Sequence, residues 1–342
     1  MNKTFETIDF VYELCEWYRH NQRDLPFRKT NDPYAIFISE LMLQQTQVDT
    51  MLSYYDRFMD AFPTVNALAN APKESVLKLW EGLGYYRRAN YVHETAKIVT
   101  NQFDGHFPKT YKELIKLPGV GRYTAGAIMS IAYLIPTPAI DGNVFRVITR
   151  LLTIPDDIST TTAYHKVEQH LITMLKYDNP SDFTQGLMEL GALICIPQPR
   201  CSDCPVNQYC FAYKQNNQLS FPNKPKQKQK INETHIVFIY QDNSFFLLNQ
   251  RPSKGLLANM MEFPQYLTSS LSDAIDLFNQ QFDTTIVNHD FITNVKHVFT
   301  HKVWHLEIYR IETESKISHK LYDIEHLPMA MSKAHIKIKN LL

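Results

Sequence analysis

The sequence predicts two domains of different class, a mostly α first domain and an α+β second one. Apolar residues recur at helical spacing from about residue 5 to about residue 194, and no strand pattern occurs before residue 230. A lysine-bearing stretch with two prolines, P-N-K-P-K-Q-K-Q-K at 222–230, reads as a linker, and beyond it the apolar period changes to two. With 342 residues, 44% of them apolar and 20% charged, the chain is long enough for two globular cores. The expected boundaries are therefore 1–221, 222–230 and 231–342.

Composition narrows the function classes. No run approaches a transmembrane length, and Met1-Asn2-Lys3-Thr4-Phe5 with the acids that follow is no signal peptide. Five cysteines, four of them in one run, fit a reducing cytoplasm better than a disulfide framework. The 35 Lys+Arg balance 35 Asp+Glu, so bulk charge offers no case for a nucleic-acid partner. Any such affinity must come from placed groups and be salt-sensitive.

Residues 5–20 form an amphipathic helix that buries Phe10, Leu14, Trp17 and Tyr18, with Cys15 as a core thiol. Asn31-Asp32-Pro33 starts the next helix, a polar cap followed by proline at the first helical position. That helix, P-Y-A-I-F-I-S-E-L-M-L-Q-Q-T-Q-V, is apolar nearly all round and so is buried, yet it carries Glu40. A glutamate so placed loses solvation and its pKa rises, which keeps a carboxylic acid protonated near neutral pH. A structural glutamate bonded to a backbone amide is the other reading of Glu40 taken alone. A short helix at 72–80 ends in Gly82-Leu83-Gly84-Tyr85-Tyr86, and another helix runs to about Thr100.

The stretch from Lys116 to Asn143 holds the densest signal. Thr110-x-x-Glu113 is a capping box that opens a helix at Tyr111. Leu117-Pro118-Gly119-Val120-Gly121 then turns sharply into a second helix. Its two glycines leave amides uncovered to grip an anion, for which a DNA phosphate is the natural candidate; an ordinary helix corner is the alternative. Asp141-Gly142-Asn143 follows two prolines and places a carboxylate at a helix start. Helices continue to about residue 194. Cys195, Cys201, Cys204 and Cys210 then crowd among prolines, a set that suits tetrahedral zinc or a 4Fe–4S cluster. Only Cys201 and Cys204 form a C-x-x-C knuckle, and that asymmetry favours iron–sulfur. Past the linker, Thr234–Tyr240, Phe245–Gln250 and Val298–Ile311 read as strands, with a helix at about Leu271–Phe282.

These motifs occur together, in order and at comparable intervals, in the MutY-type adenine DNA glycosylases of the helix–hairpin–helix superfamily. I-S-E-L-M-L-Q-Q-T-Q-V, G-L-G-Y-Y, L-P-G-V-G-R-Y-T-A, D-G-N-V and the four-cysteine loop carry the resemblance, which covers nearly the whole chain. It implies a 4Fe–4S cluster on Cys195, Cys201, Cys204 and Cys210, and a Nudix-like tail that reads 8-oxoguanine. It further implies that Glu40 is the general acid that protonates adenine and that Asp141 stabilises the oxocarbenium-like sugar. Tyr123 and Asn143 resemble the residues that orient this site. Gln45 and Tyr85 match positions that wedge into the duplex, Gly119 and Gly121 the hairpin amides, and Leu25, Arg28 and Gln185 the surroundings of the extruded adenine. Thr300 and His301 match lesion-reading positions. The implied partner is double-stranded DNA with adenine opposite 8-oxoguanine or guanine, engaged by a monomer.

The chain departs from the family pattern in places. Five residues separate Cys195 from Cys201, one fewer than usual; Phe27 stands where tryptophan is common, and Thr300 where serine is. No complete Nudix hydrolase acid box is present, so the tail is expected to bind rather than hydrolyse. Two rivals remain. An endonuclease III-like glycosylase/lyase needs a lysine where Tyr123 stands, because a Schiff base requires an amine. A non-catalytic iron–sulfur DNA binder has no use for both Glu40 and Asp141.

Overall fold

The computed structural model describes residues 6–224, 229–327 and 329–342. The N-terminal Met1–Phe5 and part of the expected linker lie outside the described residues. The helices, in chain order, are α1 (Thr7–Asn21), α2 (Pro33–Leu43), α3 (Val48–Ala61), α4 (Val65–Asn70), α5 (Lys73–Leu79), α6 (Arg87–Gln102), α7 (Tyr111–Leu114) and α8 (Arg122–Ala127). They continue with α9 (Gly142–Leu152), α10 (Thr161–Met174), α11 (Pro180–Leu193), α12 (Phe211–Lys214), α13 (Leu271–Phe282) and α14 (Lys333–Lys339). The strands are β1 (Ile231–Ile239), β2 (Gln241–Asp242), β3 (Phe245–Leu247), β4 (Asn249–Gln250), β5 (Met261–Glu262), β6 (Gln265–Tyr266), β7 (Ile286–Val298), β8 (Lys302–Thr313) and β9 (Leu321–Asp323). Among the described residues the first strand begins at Ile231, so the expected change of period marks a real change of class. None of the described helices is long and apolar enough to cross a membrane.

Two compact units result, Met1–Asn70 with Tyr91–Lys226 and Ala71–Asn90 with Gln227–Leu342. Residues 71–90 thus fall in the second unit, where the sequence expectation kept 1–221 together. Their attachment is polar: Glu81 Oε1 accepts from the Met331 amide at 2.7 Å, and the Tyr86 hydroxyl donates to the Met331 carbonyl at 3.5 Å.

In the first unit the caps act as the sequence implies. Asp32 accepts from the Tyr34 amide, with Pro33 at the first helical position, and α2 is buried from Tyr34 through Met42. Thr110 Oγ1 accepts from the Glu113 amide at 3.3 Å and donates to Glu113 Oε2 at 2.6 Å, opening α7. Phe10, Val11, Leu14 and Cys15 of α1 pack with Val144, Ile148 and Leu151 of α9 and Phe183, Leu187 and Leu190 of α11. Trp17, expected in this core, is only half-buried beside it. Helix α8 continues as a π-helical turn at Ile128–Ala132.

In the second unit a four-stranded sheet, ordered β6-β1-β8-β7, has β1 parallel to β8 and the other pairs antiparallel. Ile236 and Phe238 face α13 through Ala274, Phe278 and Phe282, while Val237 and Ile239 join Leu306, Phe263, Met331 and Ile338 on the other face. A strand covered on both faces reads as a continuous apolar run, as I-V-F-I at 236–239 does here, rather than with the period of two expected beyond the linker. The expected strand Val298–Ile311 is corrected: Val298 ends β7, residues 299–301 turn, and β8 starts at Lys302. Strand β7 was missed because most of its residues are exposed and two register shifts break its alternation. The expected Phe245–Gln250 strand is two short pieces, β3 and β4, each in a different sheet.

Candidate active site

A cleft of about 970 Å³ in the first unit gathers Glu40, Tyr123, Asp141, Asn143, Leu25, Arg28, Gln185, Gln45, Gly119 and Gly121. Those residues come from segments spread over some 160 positions, and the fold brings them to one surface. Tyr85, Thr300 and His301 lie in the second unit.

Glu40 projects from the buried helix α2 and is 6% exposed. The Tyr123 hydroxyl, presented by α8, donates to Glu40 Oε2. Burial pushes the Glu40 carboxyl up to about 7; the Tyr123 hydrogen bond and Arg28 oppose this, and Asp141 adds to it. Such a group is half-protonated near neutrality. The Tyr123 phenol itself is pushed well up, first by burial and then by Glu40, so it stays a donor.

Asp141 sits at the N-cap of α9. Its Oδ1 accepts from the Val144 amide at 2.7 Å and its Oδ2 from Asn143 Nδ2 at 2.9 Å. Burial raises its pKa, while the Val144 and Asn143 donors and the Arg146 charge hold it down. The two carboxyls are therefore unlike: Glu40 has one phenolic donor, Asp141 a ring of donors that favour its ionised form. The Asn143 amide is fixed from its other end, because Arg146 Nη2 donates to Asn143 Oδ1 at 2.7 Å and to the Gly191 carbonyl at 2.8 Å. Gly191 permits this approach, since a Cβ there would meet Asn143 Cβ at 2.7 Å.

The hairpin that closes the cleft depends on Gly119. Its φ of +76° is left-handed, and a Cβ there would lie 2.8 Å from Tyr91 Cβ. Thr95 Oγ1 donates to the Pro118 carbonyl at 2.8 Å and holds the turn. Gly121 caps α8 in an extended conformation with open space at its Cβ position. Gln45, with φ +58°, follows the end of α2 on the cleft rim.

Sequence reasoning missed the group behind Arg28. Glu189 of α11 is fully buried; it accepts from Arg28 Nη2 at 2.5 Å and from Arg23 through Nε at 2.8 Å and Nη2 at 2.7 Å. Burial raises its pKa, but the Arg23 and Arg28 hydrogen bonds win and pull it to about 2. Arg28 Nη1 remains buried with no partner, a donor left over in the cleft wall. Gln185 Nε2 donates to Ser181 Oγ at 2.9 Å. A buried glutamate on an apolar helix was the available signal, the same one that picked out Glu40.

In the second unit, the turn at 299–301 is closed by the Phe299 amide donating to the Lys302 carbonyl at 2.8 Å. Tyr85, 45% exposed and at φ +50°, places its hydroxyl 3.1 Å from Thr300 Oγ1. His301 is exposed.

The four cysteines are free thiols, and Cys195, Cys204 and Cys210 pack at the edge of the first unit's core. Burial pushes Cys204 up to about 12, and the other three thiols add to that, so the four lie within electrostatic reach of one another. Arg150 Nη1 lies 3.4 Å from Cys195 Sγ and also donates to the Ile196 carbonyl at 2.7 Å, while Arg146 Nε donates to the Cys195 carbonyl at 2.6 Å. No group of three or more His, Cys, Asp or Glu among the described residues is arranged to hold a single metal ion.

An acid with a raised pKa, a hydrogen-bonded carboxylate and a glycine hairpin, on a helical scaffold joined to an α/β sheet unit, define a base-excision DNA glycosylase with an added domain. Residues 38–174 match the family described as HhH-GPD superfamily base excision DNA repair protein, and residues 235–341 match the NUDIX domain. The adenine DNA glycosylase of Buchnera aphidicola (subsp. Baizongia pistaciae) is 35% identical over 89% of this chain and 85% of its own length; that of Homo sapiens is 33% identical over 91% and 68%. The chain belongs to the adenine DNA glycosylases and so is a DNA N-glycosylase of base excision repair that acts on adenine. A thermostable thymine-DNA glycosylase structure superposes with a TM-score of 0.54 at 28% identity, over 61% of this chain and 97% of that one. An endonuclease III–DNA complex, at TM-score 0.53 and 23% identity over 62% and 98%, shares the fold.

Proposed function

We propose that this chain hydrolyses the N-glycosidic bond of adenine opposite 8-oxoguanine, or opposite guanine, with no lyase step. The observation that carries the reading is Glu40, pushed up to about 7 by burial, beside an Asp141 whose carboxyl burial also raises but which accepts hydrogen bonds from the Val144 amide and Asn143. Adenine must leave the duplex to be reached, at a cost of a few kcal/mol. Inside the cleft the Glu40 carboxyl hands its proton to the departing base, which otherwise would have to leave as an anion. Positive charge develops on the sugar, and Asp141 answers it, with Asn143 fixing the orientation of that carboxylate. One acid kept neutral and one kept ionised is the division of labour that sugar-transfer chemistry requires.

Arg28 and Gln185 supply the polar contacts for the extruded base and Leu25 the apolar wall. The amides at Gly119 and Gly121 grip the backbone, Gln45 and Tyr85 enter the duplex, and residues 231–342 with Thr300 and His301 read the base opposite adenine. Cys195, Cys201, Cys204 and Cys210 hold a 4Fe–4S cluster. Four thiols without a disulfide, close enough to influence one another and backed by Arg150 at Cys195 Sγ, would be the ligands of such a cluster. The cluster supplies a cross-link for the loop. The enzyme acts as a monomer in the cytoplasm.

The test is a duplex with one adenine opposite 8-oxoguanine, incubated with the protein and then treated with hot alkali. Cleavage only after alkali is the expected result. Cleavage without alkali would assign a lyase instead, and an intact strand in both conditions a binder.

A further inference from the structure

Two histidines, His335 and His235, are buried in the second unit with the side chain of Gln265 between them. The Phe263 amide donates to His335 Nδ1 at 3.2 Å. A backbone amide can only donate, so Nδ1 is unprotonated and the ring proton sits on Nε2. His335 Nε2 lies 2.9 Å from Gln265 Oε1, which therefore accepts. The other end of that amide, Nε2, then donates to His235 Nδ1 at 3.1 Å. This puts the His235 proton on its Nε2, which lies 3.5 Å from Glu233 Oε2, close enough for electrostatic contact but without a hydrogen bond. One backbone amide thus fixes the sense of every proton along the line.

The line ends at the recognition turn. Glu233 accepts from Lys302 Nζ at 2.5 Å and from Trp304 Nε1 at 2.8 Å. The Trp304 ring packs edge-on against Phe299, with centroids 4.8 Å apart, and Phe299 closes the turn onto Lys302. Burial lowers His335 to about 3 and also lowers His235, against the pull of Glu233. The charged and titratable groups around the two rings are Glu233, Lys302 and Arg251 for His235, and Arg251, His297 and Glu262 for His335.

We propose that Gln265, acting through His235 and Glu233, is a positioning residue that holds the 299–301 turn in the geometry that discriminates the base opposite adenine. This rests on the reading that the turn faces that base. A turn whose anchors are pinned in one proton arrangement meets its target pre-organised and loses little entropy on contact.

Gln265→Glu tests it, because the side chain keeps its shape and loses its donor. His235 Nδ1 then faces a new carboxylate while Nε2 still faces Glu233, so the intact line needs an imidazolium. Below the pKa of that imidazolium the turn is held. Above it, one ring nitrogen turns a lone pair toward a carboxylate and the line breaks. The readout is the ratio of single-turnover adenine excision opposite 8-oxoguanine to that opposite guanine, in which effects on Glu40 cancel. In the wild-type chain the ratio should stay flat from about pH 7 to about pH 8.5, above the ordinary histidine value from which both rings are lowered. In Gln265→Glu it should match wild type at the acid end and fall roughly tenfold as the pH rises. A variant ratio that follows wild type at every pH overturns the proposal, and so does an equal loss on both substrates, which would make the line a support of the fold alone. A wild-type ratio near one removes the lesion-reading function itself, and the proposal with it.

Discussion

Glu40 and Glu189 are the same residue type and both buried, one lining the cleft and one behind its Arg28, and their carboxyls are shifted in opposite directions. Glu40 meets a phenol and is pushed up to about 7; Glu189 meets two guanidinium groups and is pulled to about 2. Desolvation acts in the same direction on both, so the partners decide the outcome. The proposed chemistry uses both states. A neutral carboxyl can give a proton, whereas an ionised one behind Arg23 and Arg28 can aim a cation at the pocket without itself competing for it.

The comparison breaks first at Glu189. Glu189→Gln leaves two arginines facing a neutral amide, and the loss of a buried charge partner costs about 3–5 kcal/mol, to be read from urea unfolding at neutral pH. An unchanged midpoint would show that the arginines find other partners. Glu40→Gln should act in the reverse direction. Its folded pKa lies above the ordinary 4.5, so its stabilising contribution is full below about 4.5 and lost as the pH rises through about 7. At a pH above 8 the variant should gain up to roughly 3 kcal/mol of stability, while single-turnover excision drops at least about a hundredfold and DNA binding stays nearly intact. A variant that still excises adenine would remove Glu40 from the chemistry. The smallest effect belongs to Tyr123→Phe. The lost hydroxyl bond had lowered the Glu40 pKa, so the alkaline limb of the excision profile should move up by about one pH unit. A downward move would mean that the phenol favours the neutral acid.

The sequence made Glu40 legible because a charged residue in a helix that is apolar all round has few explanations. Asp141 was legible because a carboxylate before Gly142-Asn143 marks a helix start. Glu189 met the first criterion equally well, in L-M-E-L-G, yet its partners lie 161 and 166 residues away, and no local pattern links them. Strand β7 escaped for the opposite reason: exposed on most positions and broken by two register shifts, it has no apolar period to read. The placement of 71–90 with the second unit includes Glu81 and Tyr86 meeting Met331, a contact across some 250 residues that periodicity cannot encode.

The protonation state of Glu40 is the centre of the proposed mechanism, and an infrared difference spectrum between wild type and Glu40→Gln reads it directly. The expected spectrum shows a neutral carboxyl stretch at acid pH, absent from the variant, that disappears on titration with a midpoint of about 7. A Glu40 carboxylate signature that persists down to the ordinary value of about 4.5 would contradict the assignment of Glu40 as the acid.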